Sequence, residues 1–170
     1  MANVNRYVGG SKSVVPINVL SAVTVELGDL MFIDNADNLR NNGSSTASQN
    51  GYPIEYLRIS GSSLELNKAA LKSCFIGVAM DDKDGISGGA DLNISVAVSG
   101  IFNFDLKPAK SVKVVQMFGA SGTTAASDLF NQKIMKTDDS DMALGYFTET
   151  KNHAQDANVF IRTIFNGVIS

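Results

Sequence analysis

A chain of 170 residues suits a single domain, and with 44% hydrophobic against 18% charged residues it can bury a core, which excludes global disorder. A net charge of −3, with Lys and Arg scattered rather than clustered, supplies no basic field for a phosphate backbone and speaks against nucleic-acid binding. One cysteine excludes an intrachain disulfide framework, and no apolar run approaches the ~20 residues that span a bilayer.

Residues 1–13 are polar and contain Gly9-Gly10-Ser11, which predicts a flexible N-terminal arm ahead of a domain over 14–170. The first residues lack the charged region and apolar run of a signal peptide. From Val14 to Ile33 the chain reads as strand material. Pro16 places its first piece at an edge or entry position, Val23, Val25 and Leu27 alternate with polar residues, Gly28-Asp29 turns the chain, and Leu30–Ile33 forms an interior strand.

Residues 34–52 are the most polar part and predict a long surface loop, with a strand over 54–59 after it. Ser62 lies three residues before Glu65, the spacing of a capping box, and predicts one short helix over 64–73. Phe75–Met80 reads as a strand, with Asp84-Gly85 and Gly88-Gly89 making a hairpin-like connection. Leu92, Ile94, Val96 and Val98 alternate with a two-residue period, and Gly100 and Ile101–Phe104 follow. Further strands are predicted over 112–118, 133–136, 144–147 and 159–165, with a turn at Gly119–Gly122. Gly77, Ala90 and Gly100 echo Gly145, Ala157 and Gly167 in spacing, which suggests two related hairpins in one barrel or sandwich.

No arrangement for catalysis emerges. His153 is the sole histidine, in a loop, and no Gly-x-Ser-x-Gly elbow accompanies it. Cys74 sits in Ser-Cys-Phe-Ile-Gly, the setting of a buried, inert thiol. One His and one Cys cannot make an ordinary zinc site. The clusters Asp81-Asp82-Lys83-Asp84 and Asp138-Asp139-Ser140-Asp141 offer oxygens for calcium, but neither has EF-hand spacing, and Asp in turns bonds nearby amides anyway. Widely spaced carboxylates for glycoside hydrolysis stay open, although without Trp and with four Tyr the platform for sugars is thin. The Gly119–Gly122 segment lacks the lysine of a P-loop. The expectation is no enzyme, no cofactor and no metal.

The order of short motifs carries a resemblance. Gly28-Asp29 after a strand precedes Phe75-Ile-Gly77-Val78-Ala79. Val98-Ser-Gly100-Ile-Phe102-Asn-Phe104 follows, and Leu144-Gly145-Tyr146-Phe147 comes before a terminal strand at 159–165. Over residues 20–168 this resembles the capsid decoration, or cement, proteins of tailed bacteriophages. The acidic segment 138–141 departs from the Gly-Asp that usually precedes the last hairpin in that family. The resemblance implies an all-β barrel or sandwich that binds the outer surface of a phage head. It further implies a homotrimer bridging neighbouring capsomers, with the major capsid protein as partner, a place on the virion exterior and assembly in the host cytoplasm. Partner-binding residues are expected on the arm and its continuation, at Val4, Tyr7, Val8, Val14, Val15 and Ile17. Such an arm either orders on a partner or is a disordered terminus. The alternative function is a receptor- or glycan-binding β module of a fibre or tail, with the 34–52 loop as its contact surface.

Overall fold

The computed structural model describes residues 6–34, 49–59, 63–125 and 127–163. Its elements are β1 (Tyr7–Val19), β2 (Leu30–Asp34), β3 (Asn50–Pro53), α1 (Leu64–Cys74), β4 (Phe75–Ala79), β5 (Leu92–Val112), β6 (Met117–Thr123), β7 (Asp128–Lys136), β8 (Gly145–Phe147) and β9 (Lys151–Arg162). Among the described residues the fold is all-β with one α-helix, as the periodicity predicts.

Everything is organised on β5, whose 21 residues serve two assemblies. Its C-terminal half pairs antiparallel with β9 and parallel with β7, and the ring closes as β5-β7-β6-β8-β9 into a barrel. Its N-terminal half pairs with β1 and β4, and β2 and β3 extend that sheet outward from β4. Gly100 lies between the halves at φ 148, where a Cβ would stand 3.0 Å from the Phe102 ring; only glycine gives the strand that bend. The barrel interior is filled by alternate residues of the ring: Phe102, Phe104, Phe118, Ile134, Phe147, Val159 and Ile161 are essentially inaccessible to solvent.

Thr163 seals the junction of the two assemblies. Its N–H donates to the Val98 carbonyl at 2.9 Å, and its hydroxyl lies 3.1 Å from the Ile76 carbonyl and 3.2 Å from that of Val98. The ends of β9 and β4 thereby meet against one point of β5.

The helix forms where the sequence places it, one residue longer. Its cap is Ser63, which accepts from the Leu66 N–H at 3.4 Å; Ser62 lies outside the described residues. Leu64, Leu71 and Cys74 are buried beneath it.

Several expectations give way. Residues 7–13, assigned to a flexible arm over 1–13, belong to β1, whose register against β5 slips at three places between Tyr7 and Val14. Tyr7 packs edge-on against Phe102 with centroids 5.8 Å apart, and this burial holds the polar glycine-containing segment on the barrel. Residues 1–5 of that arm lie outside the described residues, as do 35–48 of the polar loop. Val23–Leu27 makes only an isolated bridge, Val25 to Lys83, because the chain turns at both ends. The strand expected over 54–59 is instead β3 ending at Pro53, followed by a 3-10 turn at Ile54–Tyr56. The turn expected at Gly119–Gly122 is strand β6, and the two glycines admit the Met142 and Asp128 carbonyls of neighbouring segments. The two echoed hairpins, β4–β5 and β8–β9, are both antiparallel but differ in register, since Ala90 precedes its strand and Ala157 lies within β9.

Candidate interaction surface

Directly opposite residues of paired strands project to the same face. Met117 faces Tyr146, Tyr146 faces Phe160, and Phe160 faces Ile101, so one row crosses β6, β8, β9 and β5. Their chain neighbours Phe118, Phe147, Val159, Ile161 and Phe102 are buried in the barrel, which sets the row outward. Tyr146 is 48% and Phe160 37% exposed, and Met117 and Ile101 are half-buried. A groove of ≈ 460 Å³ runs past Tyr146 and Phe160, its other lining residues being Gly145 and Arg162.

Polar residues border this row. On one side Arg162 pairs with Ser99. On the other, Asn103 donates to Asn158 Oδ1 at 3.0 Å and to Asp156 Oδ1 at 3.4 Å, and Lys151 closes on Asp156 at 2.8 Å and Glu149 at 3.0 Å. Those ion pairs hold the Asp156 carboxyl below its usual range, chiefly through the Lys151 hydrogen bond, and hold the Lys151 amine above its own through the same bond. An apolar strip between polar margins is the anatomy of a protein contact patch.

Two segments adjoin the row. At the β5 end Gly9 pairs with Ile101, and Gly10 crosses so close that an added Cβ would lie 3.3 Å from Ile101 Cγ1. At the β6 end the turn before Met117 exposes Val114 (51%) and Val115 (71%). Val115 stands at φ 66, a region that costs a β-branched residue roughly 1–2 kcal/mol. Its N–H donates to the Phe147 carbonyl at 2.9 Å, so the turn is pinned with two valines outward.

The residues expected to bind a partner separate into three groups. Val8 and Val14 are exposed on β1, at 55% and 43%. Tyr7 and Val15 are half-buried, and the Tyr7 hydroxyl donates to the Gly10 carbonyl at 2.6 Å. Ile17 is corrected: it is buried opposite Ile94 in the core and has no surface to offer. Val4 lies outside the described residues. Sequence reading missed the Met117–Tyr146–Phe160–Ile101 row altogether. Its signal was there in Gly145-Tyr-Phe147 and Val159-Phe-Ile161, where an apolar residue occupies the position that alternation reserves for a polar one.

Several of the groups tested for chemistry make structural hydrogen bonds. Cys74 is buried at the end of α1, its Sγ 3.4 Å from the Ala70 carbonyl. His153 is exposed at φ 49 within β9, not in a hairpin loop. Asp81 accepts from the Ser95 N–H at 2.7 Å, Asp82 from Leu27 at 2.5 Å and Asp139 from Asp141 at 2.8 Å, so these carboxylates serve backbone amides. Among the described residues no three His, Cys, Asp or Glu side chains are grouped to hold a metal ion. No helix among them is long and apolar enough to cross a membrane.

No protein-family model matches the chain, and no curated protein matches it either.

Proposed function

We propose that this chain is a structural binding protein that attaches to the outer surface of a tailed-phage head and stabilises the lattice by bridging neighbouring capsomers. The observation that carries the reading is the outward row Met117–Tyr146–Phe160–Ile101 with its polar margins. Large aromatics at the centre of a patch supply most of the energy of a protein contact, while surrounding polar groups exclude water from it. The resemblance carried by the order of motifs implies the major capsid protein as the partner.

A single small barrel presents limited surface to a shell under load. Closed rotational symmetry multiplies the contacts without strengthening any one of them, which favours a homotrimer on the particle. The low charge eases close packing of copies, and nothing in this reading requires nucleic acid, membrane or cofactor.

The second reading, a receptor- or glycan-binding module of a fibre or tail, draws on the same aromatics, because exposed Tyr146 and Phe160 are also a place for a sugar ring to stack. Sedimentation with decoration-free heads tests the first reading, and a glycan array tests the second. Binding to glycans with no retention on heads would replace the first by the second.

A further inference from the structure

Asp29 closes the turn ahead of β2 and is 2% exposed. Both its oxygens accept from neutral donors: Oδ2 from the Glu26 N–H at 2.9 Å, and Oδ1 from the Gln132 amide of β7 at 3.0 Å. The same amide nitrogen reaches Glu26 Oε2 and the Leu27 carbonyl, each at 3.4 Å. The Gln132 oxygen accepts from Arg6 Nη2 at 2.9 Å and Nε at 3.2 Å. One amide, fixed in one orientation, thus ties the start of β1 to the turn before β2.

A cavity of ≈ 220 Å³ lies against this junction. Glu26 faces it from the turn itself, Glu55 from the 3-10 turn, Asp105 from β5 and Lys133 from β7. Lys133 Nζ lies over the Phe130 ring, 4.9 Å from its centroid, on the wall of the same cavity, and the charges that act on Asp29 are those of Glu26 and Glu55. Arg6 is countered by Asp105 at 3.6 Å and donates to the Asn103 carbonyl at 3.2 Å, so its charge is committed elsewhere. Asp29 is therefore a buried carboxylate with neutral donors and carboxylate neighbours.

We infer that this junction is a proton-operated clasp: when closed it takes up a proton on Asp29 as the solution turns acid, and when Asp29 is charged it opens more often and loosens the Arg6-anchored start of β1. Burial pushes the Asp29 carboxyl up from 3.8 to about 6; the hydrogen bonds from Glu26 and Gln132 oppose the shift, and the Glu26 and Glu55 charges add to it. In an opened junction water reaches the carboxylate and its pKa returns to about 4. The closed form binds the proton more tightly, so closure strengthens as pH falls through about 6 and gains nothing further below about 4.

The test is native-state hydrogen exchange on the full chain, read at the Asn103 N–H, which donates to the Arg6 carbonyl at 2.8 Å, and at the Glu26 N–H. After correction for intrinsic rates, the opening constant should be about tenfold smaller at about pH 5 than at about pH 8. Asp29→Asn should remove that dependence. A flat profile, a profile of opposite sign, or an unchanged dependence in Asp29→Asn overturns the clasp. Should Asp29→Asn fail to fold, the carboxyl carbon shift of Asp29 in the unaltered protein decides. A midpoint near 6 supports the clasp, and one near the ordinary value of about 4 overturns it. Neither readout depends on what the outer row binds.

Discussion

Tyr146 and Phe160 stand directly opposite one another on β8 and β9, both outside the barrel, while Phe147 and Val159, the next opposed pair, are buried inside it. Four apolar side chains on two adjacent strand positions thus divide between core and surface. The inner pair is accounted for by the fold. The outer pair leaves apolar area in water, unless something covers it.

This division predicts a contrast in stability. Phe147→Ala should cost about 3–5 kcal/mol, because it empties a fully packed site that includes the Phe118 ring 6.1 Å away. Phe160→Ser should cost about 1 kcal/mol or less, since it removes a cross-strand contact on a face open to solvent. Denaturant unfolding of the two variants checks both figures.

The same division shows what the sequence could disclose. The helix at 64–73 and the alternation at 92–98 were legible, because capping chemistry and period are local properties. The union of 92–98 and 101–104 into one strand was not, because Gly100 looks like a terminator and acts as a bend. The glycines at 119 and 122 look like a turn, yet they admit the Met142 and Asp128 carbonyls of neighbouring segments. Alternation assigns apolar residues to the interior, so an apolar residue placed outward for contact is hidden by the rule that finds strands. Residues 7–13 join β1 through contacts that are not local: Tyr7 meets Phe102, the Ser99 hydroxyl accepts from the Ser13 N–H and donates to the Ser11 carbonyl, and the ladder to β5 is irregular.

Lys83 offers a second prediction. Its amine is buried and donates to the carbonyls of Leu20, Ser21 and Val23 at 2.8, 2.9 and 2.8 Å, stapling the turn after β1. Burial pushes its pKa down, against the pull of Asp91 and Asp84. Lys83→Met keeps the aliphatic stem but strands the three carbonyls, at a cost of about 2–3 kcal/mol. Thermal unfolding reads this loss, and Lys72→Met, an exposed lysine donating to the Ser140 carbonyl, should change little.

Two glycines should respond differently to alanine. At Gly77, φ 142, a Cβ would overlap the Ala97 carbonyl where β4 crosses β5, so Gly77→Ala should cost about 3 kcal/mol or more, or prevent folding. At Gly88, φ 78, nothing lies within 4 Å, so Gly88→Ala should cost only about 1 kcal/mol of backbone strain. Circular dichroism melts of the pair check the difference.

The most direct test of the central claim is co-sedimentation of the protein with decoration-free phage heads, comparing the unaltered chain with a Tyr146→Ser, Phe160→Ser double variant whose fold is confirmed by circular dichroism. The unaltered chain should pellet with the heads, and the variant should bind at least about tenfold more weakly, the loss expected when central aromatics leave a contact. Equal retention of both would remove the outer row from the contact, and no retention of the unaltered chain would contradict the capsid function itself.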